Sequence, residues 1–256
     1  MSSNFGKIVT TSAAKQIAAD IRQGILDGRL KVDERLPTEG ELAQHFDVSR
    51  PTIREALKRL AAENLIRSRR GPTGGNFVKK PSRDEVKVSL ANSTTLLVSL
   101  GDIDLEAITD ARLELELSCS RLACQRRTAE ELAAMRRELE VQADPDVDDV
   151  EFCASDVRFH TELVKATQNP ILHILVTSVL EGLQPITNLV VFRFRDRKLL
   201  REQHARILGA VERRETDEAA AAIQDQIAYL RERYKDALAW REQRDRSRAS
   251  QYAEEN

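Results

Sequence analysis

Two groups of side chains in this 256-residue chain have types and spacings that could do chemistry. Asp156 and His160 stand four residues apart. On a helix both project from one face and can hold a single divalent cation. An ordinary hydrogen-bonded Asp/His pair answers the same spacing. Arg50, Arg54 and Lys58 are also spaced four apart and share a helix face. Such a face can enter a DNA major groove, where an arginine fork contacts guanine O6 and N7 or clamps phosphates. From charge alone, a solvated basic face is the competing description. Cys119, Cys124 and Cys153 have neither zinc-finger nor CxxC spacing and read as reduced, buried thiols. No GxSxG, HExxH, Walker or Rossmann pattern occurs, and no Lys-Ser or Lys-Thr follows the glycines near residue 71, so the sequence argues against an enzyme.

The elements that must position the arginines are legible. A helix is expected from Ser12 to Leu26, with Ile17, Ile21 and Ile25 on one face and Gly28 as its stop. Thr38 with Glu41 is a capping box that opens the next helix, whose apolar stripe is Leu42, Ala43 and Phe46. After the turn at Asp47-Val48, Ser49 is an N-cap for a third helix that buries Ile53, Ala56, Leu57 and Leu60. Leu65–Arg69 and Asn76–Val78 read as two short strands joined by the basic, glycine-rich turn Arg70-Gly71-Pro72-Thr73-Gly74-Gly75, which makes a wing. Beyond Val78 no β pattern remains. A capping box at Ser82/Glu85 opens a helix to Leu100, and a helix over 104–127 carries Ile108, Leu115 and Leu122 as an apolar stripe. A third capping box, Thr128/Glu131, follows, then an acidic loop at 143–149. Breaks come at Asn169-Pro170 and from Gly182 to Pro185, and the last helices cover 198–213 and 217–241. This half is a helical bundle.

Composition agrees. Aromatics are 4% and charged residues 32%, the balance of a folded helical protein. The net charge of −2 hides an asymmetry: residues 1–80 hold 15 Lys+Arg against 9 Asp+Glu, and the remainder 25 against 33. A basic first third suggests a polyanionic partner. No apolar run approaches the roughly 18–20 residues that span a bilayer, and the polar N-terminus has no signal-peptide core, so no membrane partner and a cytoplasmic location are expected.

The stretch Leu36-Pro37-Thr38-Glu39-Gly40-Glu41-Leu42-Ala43, followed by Val48-Ser49-Arg50-Pro51-Thr52-Ile53-Arg54-Glu55-Ala56-Leu57, then Leu60 and Asn64-Leu65-Ile66, resembles the signature of the GntR family of bacterial regulators. The resemblance implies a winged helix-turn-helix that binds double-stranded DNA, with Arg50 and Arg54 as the main contacts. Thr38, Ser49, Thr52, Lys58, Arg70 and Gly71 complete the candidate DNA-binding set. Gly40 departs from the arginine usual at its position, which would remove one contact and leaves the operator sequence open.

Downstream, Asp110-Ala111-Arg112-Leu113-Glu114-Leu115-Glu116, then Asp156-Val157-Arg158-Phe159-His160 with Gln168-Asn169-Pro170, and Glu202-Gln203-His204 with Ile207 and Ala210, resemble the FCD domain of the FadR-like branch. The expected fold is therefore mainly α: a winged helix-turn-helix (1–80), a linker (81–84), an FCD-type bundle for effector binding and dimerisation (85–245) and a polar tail (246–256). By this resemblance Arg112, Asp156, His160, His204 and Gln226 form the effector site. Asp156, His160 and His204 would hold a divalent transition metal, zinc or nickel. Gln226 stands where metal-binding members place a fourth, histidine ligand, and a neutral amide is a poorer donor to such a metal. The implied function is an operator-binding homodimer, a repressor controlled by a small organic acid. An acyl-CoA-responsive regulator is the second reading, and a metal-dependent enzyme fused to a DNA-binding domain a distant third.

Overall fold

A computed structural model describes residues 11–71, 73–184 and 196–254, leaving the N-terminal segment 1–10, Pro72 of the wing turn and Pro185 outside the described residues. The chain divides into two compact units, residues 1–85 and 86–256.

In the first unit, α1 (Thr11–Leu26), α2 (Glu39–His45) and α3 (Arg50–Ala62) precede the hairpin β1 (Ile66–Arg69) and β2 (Gly75–Val78). Ala14, Ile17, Ala18 and Ile21 recur at helical spacing on α1 and are buried against Ile53, Ala56, Leu57 and Leu60 of α3. Helix α1 stops before Gly28, whose φ of 78° is the left-handed conformation that glycine adopts without steric cost. Both short helices are capped as expected. The Thr38 side chain accepts from Glu41 N–H while Glu41 accepts from Thr38 N–H at 2.7 Å. Ser49 accepts from Thr52 N–H, and Pro51 lies in the first turn. Strands β1 and β2 pair antiparallel, Ile66 opposite Val78 and Arg69 opposite Gly75. The segment at Arg35 adds a bridge to Phe77, and Leu36 N–H donates to Asn76 C=O, so the hairpin gains a third edge that local patterning did not reveal. Thr38→Ala should cost this unit about 1 kcal/mol, because it strands backbone donors at the start of α2. Chemical denaturation of wild type and variant measures it.

The second unit is helical throughout its described residues. It comprises α4 (Arg83–Leu100, whose first residues precede the division), α5 (Leu105–Arg126), α6 (Ala129–Ala143), α7 (Asp149–Lys165), α8 (Pro170–Gly182), α9 (Arg197–Arg213) and α10 (Thr216–Glu254). Ser82 and Glu85 exchange the bonds of a cap, Ser82 N–H to Glu85 at 3.0 Å and Glu85 N–H to Ser82 Oγ at 3.1 Å. Helix α4 therefore begins inside the stretch expected as linker. The main core joins Ala123 and Cys124 of α5, Met135 of α6, Phe152, Phe159 and Leu163 of α7, and Leu200, Ile207, Ile223 and Ile227 of α9 and α10. A smaller cluster sets α8, through Val176 and Leu180, against Cys119 and Val164. All three cysteines are buried and none is in a disulfide.

Two features differ from expectation. Helix α10 continues to Glu254 instead of ending near Arg241 in a polar tail. Residues 241–254 contain no Gly or Pro, and loss of apolar periodicity does not by itself end a helix. On α5, Ile108 is buried as expected, but Leu115 and Leu122 are only partly so. The buried face runs instead through Thr109, Arg112, Glu116, Cys119, Ser120 and Ala123. Two opposite charges thus lie where a plain bundle would place leucines. No helix among the described residues is long and apolar enough to cross a membrane.

Candidate functional site

The buried charges of α5 meet a polar cluster at the centre of the bundle. Asp156 and His160 project from one face of α7, His204 comes from α9 and Gln226 from α10, and all four are essentially inaccessible to solvent. One ligand atom each of Asp156, His160 and His204 lies within 4.8 Å of the others. The His204 ring stacks on Phe159, centroids 4.4 Å apart, which holds its plane.

Hydrogen-bond partners assign the ring tautomers. Gln142 Nε2 donates to Ser155 Oγ at 3.1 Å, and that hydroxyl donates to Glu138 C=O at 3.1 Å. The Gln142 amide therefore turns its Oε1 to His204 Nδ1, 2.7 Å away, so Nδ1 carries the proton. His204 Nε2 is left as a lone pair, 3.1 Å from Asp156 Oδ1 and 2.6 Å from Gln226 Nε2, which donates to it. His160 Nδ1 lies 2.8 Å from Glu116 Oε2, and its Nε2 is buried with no hydrogen-bond partner. Acceptors behind both imidazoles fix orientation and raise donor strength toward the centre.

Glu116 is itself held by Arg112, whose Nε donates to Oε1 at 2.6 Å. Burial pushes the Glu116 carboxyl up, but Arg112 and His160 beside it bring it down to about 2, so it stays ionised. Burial also works against the Arg112 charge, and Glu116, with Tyr234 and Asp156 nearby, more than offsets that. Arg112 Nη2 and Gln226 Oε1 are buried without hydrogen-bond partners. The two histidines and the carboxylate bring three metal-type donor atoms together in a space shut off from solvent. Together with the orphaned His160 Nε2, this donor set fits a divalent metal ion. Neither Gln142 nor Glu116 had been given a role from sequence. Glu116 carried a signal, four residues after Arg112 on one helix face, whereas Gln142 lies 62 positions before its partner and carried none.

In the first unit, Arg50, Arg54 and Lys58 are all exposed on α3, and Arg70 and Gly71 are exposed at the wing turn, with Gly71 at φ 108°. Thr38, Ser49 and Thr52 are engaged in caps, and the Ser49 and Thr52 hydroxyls lie 2.8 Å apart. Arg54 Nε donates to Glu39 Oε2 at 2.7 Å, a partner that sequence reasoning missed. Arg67 on the hairpin is paired with Asp33, and Arg69 lies over the Phe77 ring.

Two family models match the chain: bacterial regulatory proteins of the gntR family over residues 13–75, and the FCD domain over 107–229. The HTH-type transcriptional regulator YcbG of Bacillus subtilis is 29% identical over 220 residues, 86% of this chain and 89% of that protein. The HTH-type transcriptional repressor NanR of Cronobacter sakazakii is 28% identical over 220 residues, 84% of this chain and 82% of its own length. Among solved structures, a GntR protein of Streptococcus agalactiae superposes with a TM-score of 0.56 at 24% identity, covering 86% of this chain and 99% of that one, a likeness of fold. These sequence relatives are transcription regulators, not enzymes.

Proposed function

Because this chain belongs to the GntR family of DNA-binding transcription regulators and carries an FCD domain, we propose that it is a cytoplasmic repressor whose grip on an operator is released by a small organic acid. The observation that carries this reading is the buried set of Asp156, His160 and His204 beside an ionised Arg112 whose Nη2 has no partner. Zinc or nickel held by those three residues would supply positive charge and open coordination to a carboxylate. Arg112 would donate Nη2 to the same anion, and Glu116 keeps the guanidinium in place. A neutral ligand of the same shape would give that donor only an uncharged acceptor, and the stronger charge-assisted bond favours anions.

The DNA reader is α3 with its exposed Arg50, Arg54 and Lys58, assisted by the wing at Arg70 and Gly71. A homodimer places one α3 in each half of an inverted repeat. Supporting a second copy, α4 exposes Val86, Val88, Leu90, Leu96, Leu97 and Leu100, apolar surface that a partner subunit would cover. The sign of regulation follows the relatives named as repressors.

Thermal melting of the full chain with Zn²⁺ or Ni²⁺, and with a panel of small carboxylates, tests the reading. At about 100 times its Kd the effector should add roughly 2.7 kcal/mol of stability. It should also weaken operator binding, and operator should weaken effector binding by the same factor. If no carboxylate, with or without metal, changes either the melt or operator affinity, the effector assignment is wrong.

A further inference from the structure

Gly40 sits in the first turn of α2 without a backbone reason. It is a helical residue outside the left-handed region, so its backbone does not require glycine. What occupies the space above it is Arg50. A Cβ at position 40 would stand 3.2 Å from Arg50 Nη2, 3.6 Å from Cζ and 3.7 Å from Nε. One residue earlier, Glu39 accepts from Arg54 Nε at 2.7 Å. Both arginines of the α3 face therefore rest on adjacent residues of α2.

We propose that Glu39 and Gly40 form a cradle that aims Arg54 and Arg50, and that position 40 thereby sets how strictly Arg50 reads its operator base pair. The inference rests on the assignment of Arg50 and Arg54 as base-reading residues. Bidentate recognition of guanine requires the guanidinium plane to meet O6 and N7 together, so a small displacement forfeits it while leaving the positive charge near the phosphates. A Cβ at 40 obliges the exposed Arg50 guanidinium to give by a few tenths of an ångström, and a longer side chain obliges it to move further. Specificity then changes without loss of electrostatic attraction. Glu39 acts on Arg54 alone: binding Nε leaves both Nη groups to face the DNA.

The test selects preferred sites from a pool of duplexes carrying a randomised inverted repeat, using the full chain as wild type, Arg50→Ala, Gly40→Ala, Gly40→Leu and Glu39→Ala. Gly40→Leu is expected to lose about 10-fold of the preference at the same base pair that Arg50→Ala erases. Its affinity for random-sequence DNA and its salt dependence should stay at wild-type values. Gly40→Ala, which favours the helix, should shift the same position by a smaller factor. Glu39→Ala should blur a second position, the one read by Arg54. If Arg50→Ala changes no preference, the base-reading assignment itself fails. If Arg50→Ala erases a position that both Gly40 variants retain, the assignment stands and the cradle is overturned.

Discussion

Replacing His204 by alanine should abolish metal capture, because it removes one of only three strong donors and leaves two that share a single helix. The expected loss in affinity is roughly 100-fold or more, beyond what altering an outer-shell partner costs. Gln226→His should act in the opposite direction. The amide now contributes a weak donor and also occupies the His204 Nε2 lone pair through its own N–H at 2.6 Å, so it competes with the ion it would help to hold. An imidazole at that position ends the competition and adds a ligand. Gln142→Leu keeps every donor but releases the His204 tautomer, with an expected loss of about 10- to 100-fold. Calorimetry with Zn²⁺ and Ni²⁺, and elemental analysis before and after chelator, measure all four proteins; near-ultraviolet circular dichroism establishes that each bundle is intact. Wild-type protein that takes up no metal, and a Gln226→His variant that gains none, would show these residues to be a closed polar network with no ion in it.

Arg54→Ala should weaken binding to the preferred operator by about 1–3 kcal/mol, the range for a side chain that reads a base edge. Part of that loss would come from Glu39, which the substitution leaves as an uncompensated carboxylate facing the phosphates. Lys58→Ala should behave differently. As a phosphate contact it should lower affinity for all sequences alike and reduce the salt slope by about one. Mobility shifts across a salt series separate the two outcomes. An Arg54→Ala protein with unchanged preference and unchanged affinity would remove α3 as the recognition helix.

How far each site could be read in advance depended on distance along the chain. Asp156 and His160 declare a shared face by their i, i+4 spacing, since helical geometry alone places them together. That His204 and Gln226 join them was expected only through likeness to a family. Nothing local connects α9 or α10 to α7. Glu39 lies immediately beside Thr38, whose capping role was plain, yet its bond to Arg54 depends on how α2 crosses α3, and no residue pattern encodes that crossing.

By itself the sequence determined the helices of the DNA-reading unit, their caps at Thr38 and Ser49, the wing, and the helical nature of the described residues after it. Those features rest on interactions spanning three or four residues, or on a repeat matched to one face, and such forces act before any tertiary contact forms. Only the tertiary structure decided which atoms of the histidines face inward, that Arg112 and Glu116 replace leucines in the core, and that the last helix outruns its apolar stripe. A buried polar group must find its partner wherever packing brings one, and for His204 that partner, Gln142, lies on a helix set against it only when α6 and α9 pack together.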